Sequence, residues 1–211
     1  MRARIEDFGL YVITDSRLTR KGAVEDAKSA IRGGARIIQY REKDACASTM
    51  VDQCIQIKKL CKNNGVIFIV NDRIDVALAA DADGVHIGQE DIPYLHARRL
   101  IGDGKIIGMS ANSAKDALHN EKLGADYTSI GPIYSTKTKK DAKNPIGLEP
   151  IKHLSKILKI PLVAIGGINS SNINDVLNSG ARNIAMISAI IGSENVESCV
   201  RSYMKNFYFL K

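Results

Sequence analysis

The chain has 211 residues, 45% hydrophobic and 25% charged, and its 30 Lys and Arg exceed its 23 Asp and Glu to give a net charge of +7. That composition excludes disordered and collagen-like chains, and the length suits one domain, spanning 1–211, better than two. No apolar run reaches the roughly 18 residues of a membrane span, and the opening MRARIEDFGL has no signal-type stretch, so a cytoplasmic protein with no membrane partner is expected.

A charge of +7 still admits nucleic acid, an anionic surface or small phosphorylated ligands. The 5% aromatic content without Trp argues against stacking on single strands. Basic residues are scattered and no helix pairs a basic face with a membrane-seeking one. Small phosphorylated substrates and no nucleic acid are the expectation, with a homo-oligomer left open. Cys46, Cys54, Cys61 and Cys199 form neither CxxC nor CxH pairs, which argues against zinc. Cys54 and Cys61, seven apart, fit the buried face of a helix.

In chain order, short β-branched runs occur at 10–14 (LYVIT), 35–40 (ARIIQY), 66–70 (VIFIV), 84–87 (GVHI), 105–109 (KIIGM), 127–130 (YTSI), 161–165 (PLVAI) and 183–187 (NIAMI). Each is nearly continuously apolar, as a strand covered on both faces should be. Helical stretches lie between them, most clearly at 22–32, 48–63 and 113–123, the last opened by a Ser113/Asp116 capping pattern. Glycines at 33–34, 124 and 180 stand where helices must end in a left-handed residue. Eight strands alternating with helices predict an α/β fold, a single (β/α)8 TIM barrel. The rival doubly wound sheet lacks a GxGxxG after its first strand.

A barrel of this kind carries its chemistry at the C-terminal ends of the strands, with phosphate bound after strands seven and eight. Strand two ends in Gln39, Arg41 and Lys43, which alternation places on one face, although a solvated strand end would look the same. Strand three runs into Asn71 and Asp72, and strand four leads to Asp91. Two adjacent carboxylates repel unless a proton or cation lies between them, and Mg2+ takes one or two such ligands plus phosphate oxygens and water. Asp91 also fits a helix N-cap before Pro93. His86 reads as an orienting or packing residue rather than a proton carrier, and His96, His119 and His153 as surface residues. The longest loop, 131–147, alternates Thr136, Thr138 and Lys139 with other cations and suits a lid over an anion. Gly166-Gly167 after strand seven and Ser188 after strand eight offer a phosphate site, with a helix starting next. Together these imply two phosphorylated ligands, one of them a diphosphate held by Arg41, Lys43, Asn71 and Lys139 around a Mg2+.

The motifs Q-x-R-x-K at 39–43, ND at 71–72, DGVHIGQED at 83–91 and G-x-S at 108–110 resemble the thiamine phosphate synthase family. So do ADYTSIGPIYSTKTKKDA at 125–142, AIGGI at 164–168 and ISAI at 187–190. They follow the family's order over almost the whole chain. The resemblance implies a transferase that joins a hydroxymethylpyrimidine diphosphate to a thiazole phosphate. In it Asp72 and Asp91 would hold Mg2+, and Arg41, Lys43, Asn71 and Lys139 would contact the diphosphate. Gln39 and Ser110 would lie near the pyrimidine, and Thr136, Thr138, Gly167, Ile187 and Ser188 would take the thiazole phosphate. Arg41, Lys43, Ser110 and Lys139 would be catalytic. Two alternatives share the fold: a related thiazole tautomerase, and a non-catalytic barrel that binds thiazole phosphate or thiamine phosphate. The tautomerase is thought to use a His where this chain has Asn112, which cannot shuttle a proton in that way. The binding barrel has no need for two carboxylates beside Arg41 and Lys43.

Overall fold

The computed structural model describes residues 7–138 and 143–207. Eight parallel strands close into a barrel in sequence order: β1 (Leu10–Ile13), β2 (Ile37–Tyr40), β3 (Ile67–Asn71), β4 (Gly84–Ile87), β5 (Ile106–Ala111), β6 (Tyr127–Ile130), β7 (Leu162–Ile165) and β8 (Asn183–Met186). The closing pair sets Leu10 against Ile184 and Val12 against Met186. A closed order rules out the doubly wound alternative. The helices are α1 (Ala23–Arg32), α2 (Ala47–Asn63), α3 (Ile74–Ala79), α4 (Tyr94–Ile101), α5 (Ala114–Leu123), α6 (Glu149–Ile157), α7 (Ile173–Asn178), the short α8 (Ser188–Ile191) and α9 (Val196–Met204). None of the described helices is long and apolar enough to cross a membrane.

Alternation along each strand divides the core in two. Leu10, Val12, Ile38, Phe68, Val70 and Ile107 face outward and pack under the helices, where Cys54 and Cys61 of α2 are fully buried. Tyr11, Ile13, Ile37, Ile69, Ile106, Tyr127 and Val163 fill the barrel interior. Gly108 leaves the room that the Tyr127 ring occupies: a Cβ there would lie 2.0 Å from Tyr127 Cζ. The capping expectation for α5 holds, since Ser113 Oγ accepts the Asp116 N–H at 3.1 Å. Gly34, Gly124 and Gly180 take positive φ after their helices, as placed from sequence, whereas Gly33 stays right-handed.

Polar side chains close the N-terminal rim. Asn183 Oδ1 accepts the Phe8 and Gly9 N–H groups at 2.7 and 3.1 Å, and Asp126 Oδ2 accepts the Ile107 N–H at 2.8 Å and the Arg98 guanidinium at 2.7 Å. These satisfy strand-end donors that would otherwise be buried and unpaired. The opposite rim is left free for chemistry.

Candidate active site

At the C-terminal rim the strand ends enclose a cavity of about 300 Å³. Inward alternation along β2 carries Gln39 and the following Arg41 and Lys43 into its wall, as read from the sequence. Arg41 is 7% exposed. Its backbone N–H is held by Thr14 Oγ1 at 3.1 Å and its guanidinium is ion-paired with Asp15, itself 3% exposed. The Arg41 Nε is buried without a partner among the described residues, a donor suited to a bound anion.

Lys43 Nζ lies 2.5 Å from Asp72 Oδ2. Asn71, the last residue of β3, lines the same wall. Burial pushes the Asp72 carboxyl up, but the Lys43 hydrogen bond and charge, with a hydrogen bond shared with Asp91, outweigh it and hold it below the usual range. Burial raises Asp91, and the same shared bond and the Asp72 charge raise it further. The two carboxylates therefore meet, as expected. Asp91 is not the N-cap of α4, however. That helix starts at Tyr94 with Pro93 as its cap residue, and Asp91 instead accepts the Gly88 N–H at 2.6 Å, tying down the turn after β4. The turn's own orphan donor captures the side chain before the helix can use it.

Ser110, at the end of β5, receives a hydrogen bond partner in His86, with 2.9 Å between Oγ and Nε2. His86 thus has an orienting position at the mouth, and His96, His119 and His153 are exposed on helices. The Asn112 amide lies 2.6 Å from Gln89 Oε1 and 3.2 Å from both the Gly131 carbonyl and Lys143 Nζ.

The other pole is built from the loops after β6, β7 and β8. Thr136 and Thr138 line the cavity and bond to one another through their hydroxyls at 3.3 Å. Lys139 lies outside the described residues. Gly167, at φ +64°, passes so close to the Ser135 carbonyl and Tyr134 that a Cβ would fall 2.5 Å from the former. Ile187 and Ser188 complete this wall. The helix expected directly after the glycine pair is displaced: α7 begins only at Ile173, because Asn169 and Asn172 first close a turn on the Gly167 carbonyl. Ile187 likewise lies just past β8, as the cap residue of α8.

Sequence reasoning missed Asp15, Tyr11, Ser129 and Tyr127. Asp15 sits two residues past Ile13 on the inward phase of β1, the signal that could have found it. Tyr11 and Tyr127 stand inside apolar runs, where a tyrosine reads as packing.

The family model for thiamine monophosphate synthase matches residues 10–190. A thiamine-phosphate synthase of Methanosarcina barkeri is 49% identical over 193 residues, 92% of this chain and 87% of that protein. One from Chloroflexus aurantiacus is 46% identical over 203 residues, 94% and 92% of the two chains. The solved thiamine phosphate pyrophosphorylase from Pyrococcus furiosus has a TM-score of 0.89 at 41% identity, over 97% of each chain. With the barrel, the paired carboxylates and the cationic wall all in place, the chain belongs to the thiamine-phosphate synthase family of transferases.

Proposed function

We propose that the protein joins 4-amino-2-methyl-5-hydroxymethylpyrimidine diphosphate to 4-methyl-5-(2-phosphoethyl)thiazole, giving thiamine phosphate and diphosphate. The bond from the pyrimidine methylene carbon to the diphosphate oxygen breaks, and its electron pair leaves with the diphosphate. The thiazole nitrogen lone pair then forms the new C–N bond to that carbon. No general base is required, so the site has two tasks: to neutralise the leaving group and to hold the nucleophile in line.

The observation that carries this reading is the arrangement of one cavity with two poles. At one, Arg41 offers a buried Nε, unpaired among the described residues, beside Lys43 and the Asp72–Asp91 pair. At the other, Gly167, Ser188 and the two threonines offer backbone and hydroxyl groups for a monophosphate. Arg41 and Lys43 meet the departing charge, Asn71 helps to fix it, and Gln39 and Ser110 face the ring between the poles. The donor set at Asp72 and Asp91 fits Mg2+: two hard carboxylate oxygens that repel one another without a cation between them leave most positions to phosphate oxygens and water. Bound there, Mg2+ would supply charge neutralisation to the diphosphate. Lys139 would add a cation from the 131–147 loop. Asn112, beside Gln89 at the cavity wall, carries an amide that cannot relay a proton, which disfavours a tautomerase.

The test is diphosphate release from the pyrimidine substrate with Mg2+ present, with and without the thiazole phosphate. Release coupled to appearance of thiamine phosphate is expected. Isomerisation of a thiazole alone, without diphosphate release, would replace this reading.

A further inference from the structure

A line of hydrogen bonds crosses the barrel interior beneath the cavity. Gln39 Nε2 donates to the Tyr11 hydroxyl at 2.8 Å, the Tyr11 and Tyr127 hydroxyls are 2.8 Å apart, and the Tyr127 hydroxyl lies 2.9 Å from His86 Nδ1. His86 Nε2 then meets Ser110 Oγ at 2.9 Å. The line joins β2, β1, β6, β4 and β5, and both its ends, Gln39 and Ser110, open on the cavity. Tyr11 and Tyr127 are essentially inaccessible to solvent, and His86 stacks on Tyr127 at 5.5 Å between ring centroids with 28° between planes.

The direction of the line follows from counting protons. Burial raises both phenols far above the usual tyrosine range, so each keeps its hydrogen. The Tyr11 oxygen accepts from Gln39, so the Tyr11 hydrogen needs an acceptor, and among the described residues the Tyr127 oxygen is the one within reach. Tyr127, accepting there, sends its own hydrogen to His86 Nδ1. A neutral imidazole with Nδ1 accepting carries its proton on Nε2 and donates it to Ser110 Oγ. With the Gln39 amide nitrogen donating to Tyr11, the reverse direction would strand the Tyr11 hydrogen in the core without an acceptor.

We propose that Tyr11, Tyr127 and His86 are positioning residues that lock one hydrogen-bond polarity into the site. They hold His86 as the Nε2–H tautomer and leave the Ser110 hydroxyl as a donor, and the Gln39 amide oxygen as an acceptor, toward the bound ring. That pattern suits an amino-substituted ring, whose ring nitrogen accepts and whose exocyclic NH2 donates. It opposes the oxo-substituted ring of the same shape, whose ring N–H and carbonyl reverse both roles. A site built around buried polar groups discriminates by leaving the wrong partner unpaired. The ring assignment rests on the function proposed above, whereas the tautomer does not.

The tautomer is read by long-range 1H–15N NMR on the free wild-type protein, with the His86 signals assigned by their loss in His86→Gln or by their distinction from the three exposed histidines. A protonated Nε2 and unprotonated Nδ1 are expected. An Nδ1–H tautomer or a doubly protonated ring overturns the polarity whatever the enzyme makes. For the second arm, wild type and Tyr127→Phe are given the 4-amino pyrimidine diphosphate or its 4-oxo analogue. The variant is expected to lose about tenfold in its preference for the amino ring, chiefly through KM for the pyrimidine, the size of one net hydrogen bond. KM for the thiazole phosphate should stay as it was. Unchanged preference in a folded Tyr127→Phe protein overturns the specificity role. If that variant does not fold, Tyr11→Phe carries the same comparison, and the wild-type spectrum decides the polarity on its own.

Discussion

Asp72 receives the Lys43 ammonium at 2.5 Å from a backbone held at φ +59°, a left-handed conformation that side chains other than glycine rarely adopt. Such strain persists where the surroundings over-determine it, and here β3 and the His86 carbonyl, which accepts the Asp72 N–H at 2.9 Å, do so. The turn aims the carboxylate at Asp91. Asp72→Asn and Asp91→Asn should each lower kcat by about 10²-fold or more, because each removes charge that the leaving group needs organised. His86→Asn should cost less. Steady-state kinetics across a Mg2+ titration checks the order, and wild-type rates in the Asp variants would refute the assignment.

The same pair makes a stability prediction of opposite sign. The Asp91 carboxyl titrates above its ordinary range because of burial and Asp72, so its ionisation disfavours the folded state. That cost is absent below the unfolded-state value and fully present above the raised one, so stability falls as pH rises through the interval between them. Metal-free Asp91→Asn should therefore melt higher than wild type at neutral pH and lose the advantage in acid, while its activity collapses. Thermal melts at several pH values in chelator decide it.

The Arg41–Asp15 pair is almost entirely shielded, at 7% and 3% exposure. Removing one partner leaves the other charge buried and uncompensated, so Asp15→Ala should cost about 3–5 kcal/mol. It should also weaken binding of inorganic diphosphate, since Arg41 loses the group that holds it. Urea denaturation and calorimetry would measure the two effects.

Gly167→Ala places a Cβ against the Ser135 carbonyl at a φ that alanine disfavours. The loop after β6 must move, so KM for the thiazole phosphate should rise while KM for the pyrimidine diphosphate changes little. Equal changes in both would contradict a divided cavity.

The cysteines separate by environment. Cys46 is exposed before α2, and hydrogen bonds with the Ser48 and Thr49 hydroxyls draw its thiol down to about 7. Burial pushes Cys54 and Cys61 up to about 12. Near neutral pH iodoacetamide should label Cys46 well before either, with its rate rising through pH 7 as the thiolate forms. Peptide mass mapping checks the order.

The barrel was legible because strands covered on both faces must be apolar throughout, and eight such runs between helical stretches leave few other architectures. Q-x-R-x-K was legible for a related reason, since alternation alone sends residues 39, 41 and 43 to one wall. The alternative of Asp91 as a cap arises because Pro93 marks a helix start, while the competing demand of the Gly88 N–H appears only once the turn is folded. The hydroxyl line was invisible for a different reason: Tyr11 and Tyr127 lie 116 positions apart and meet only because the barrel closes.

The most direct measurement supplies both substrates with Mg2+ to enzyme in excess and follows thiamine phosphate and diphosphate through a single turnover. The account predicts that the two appear together in equal amounts, at one rate, and only when both substrates and the metal are present. No thiamine phosphate under those conditions, or diphosphate released without it, would contradict it.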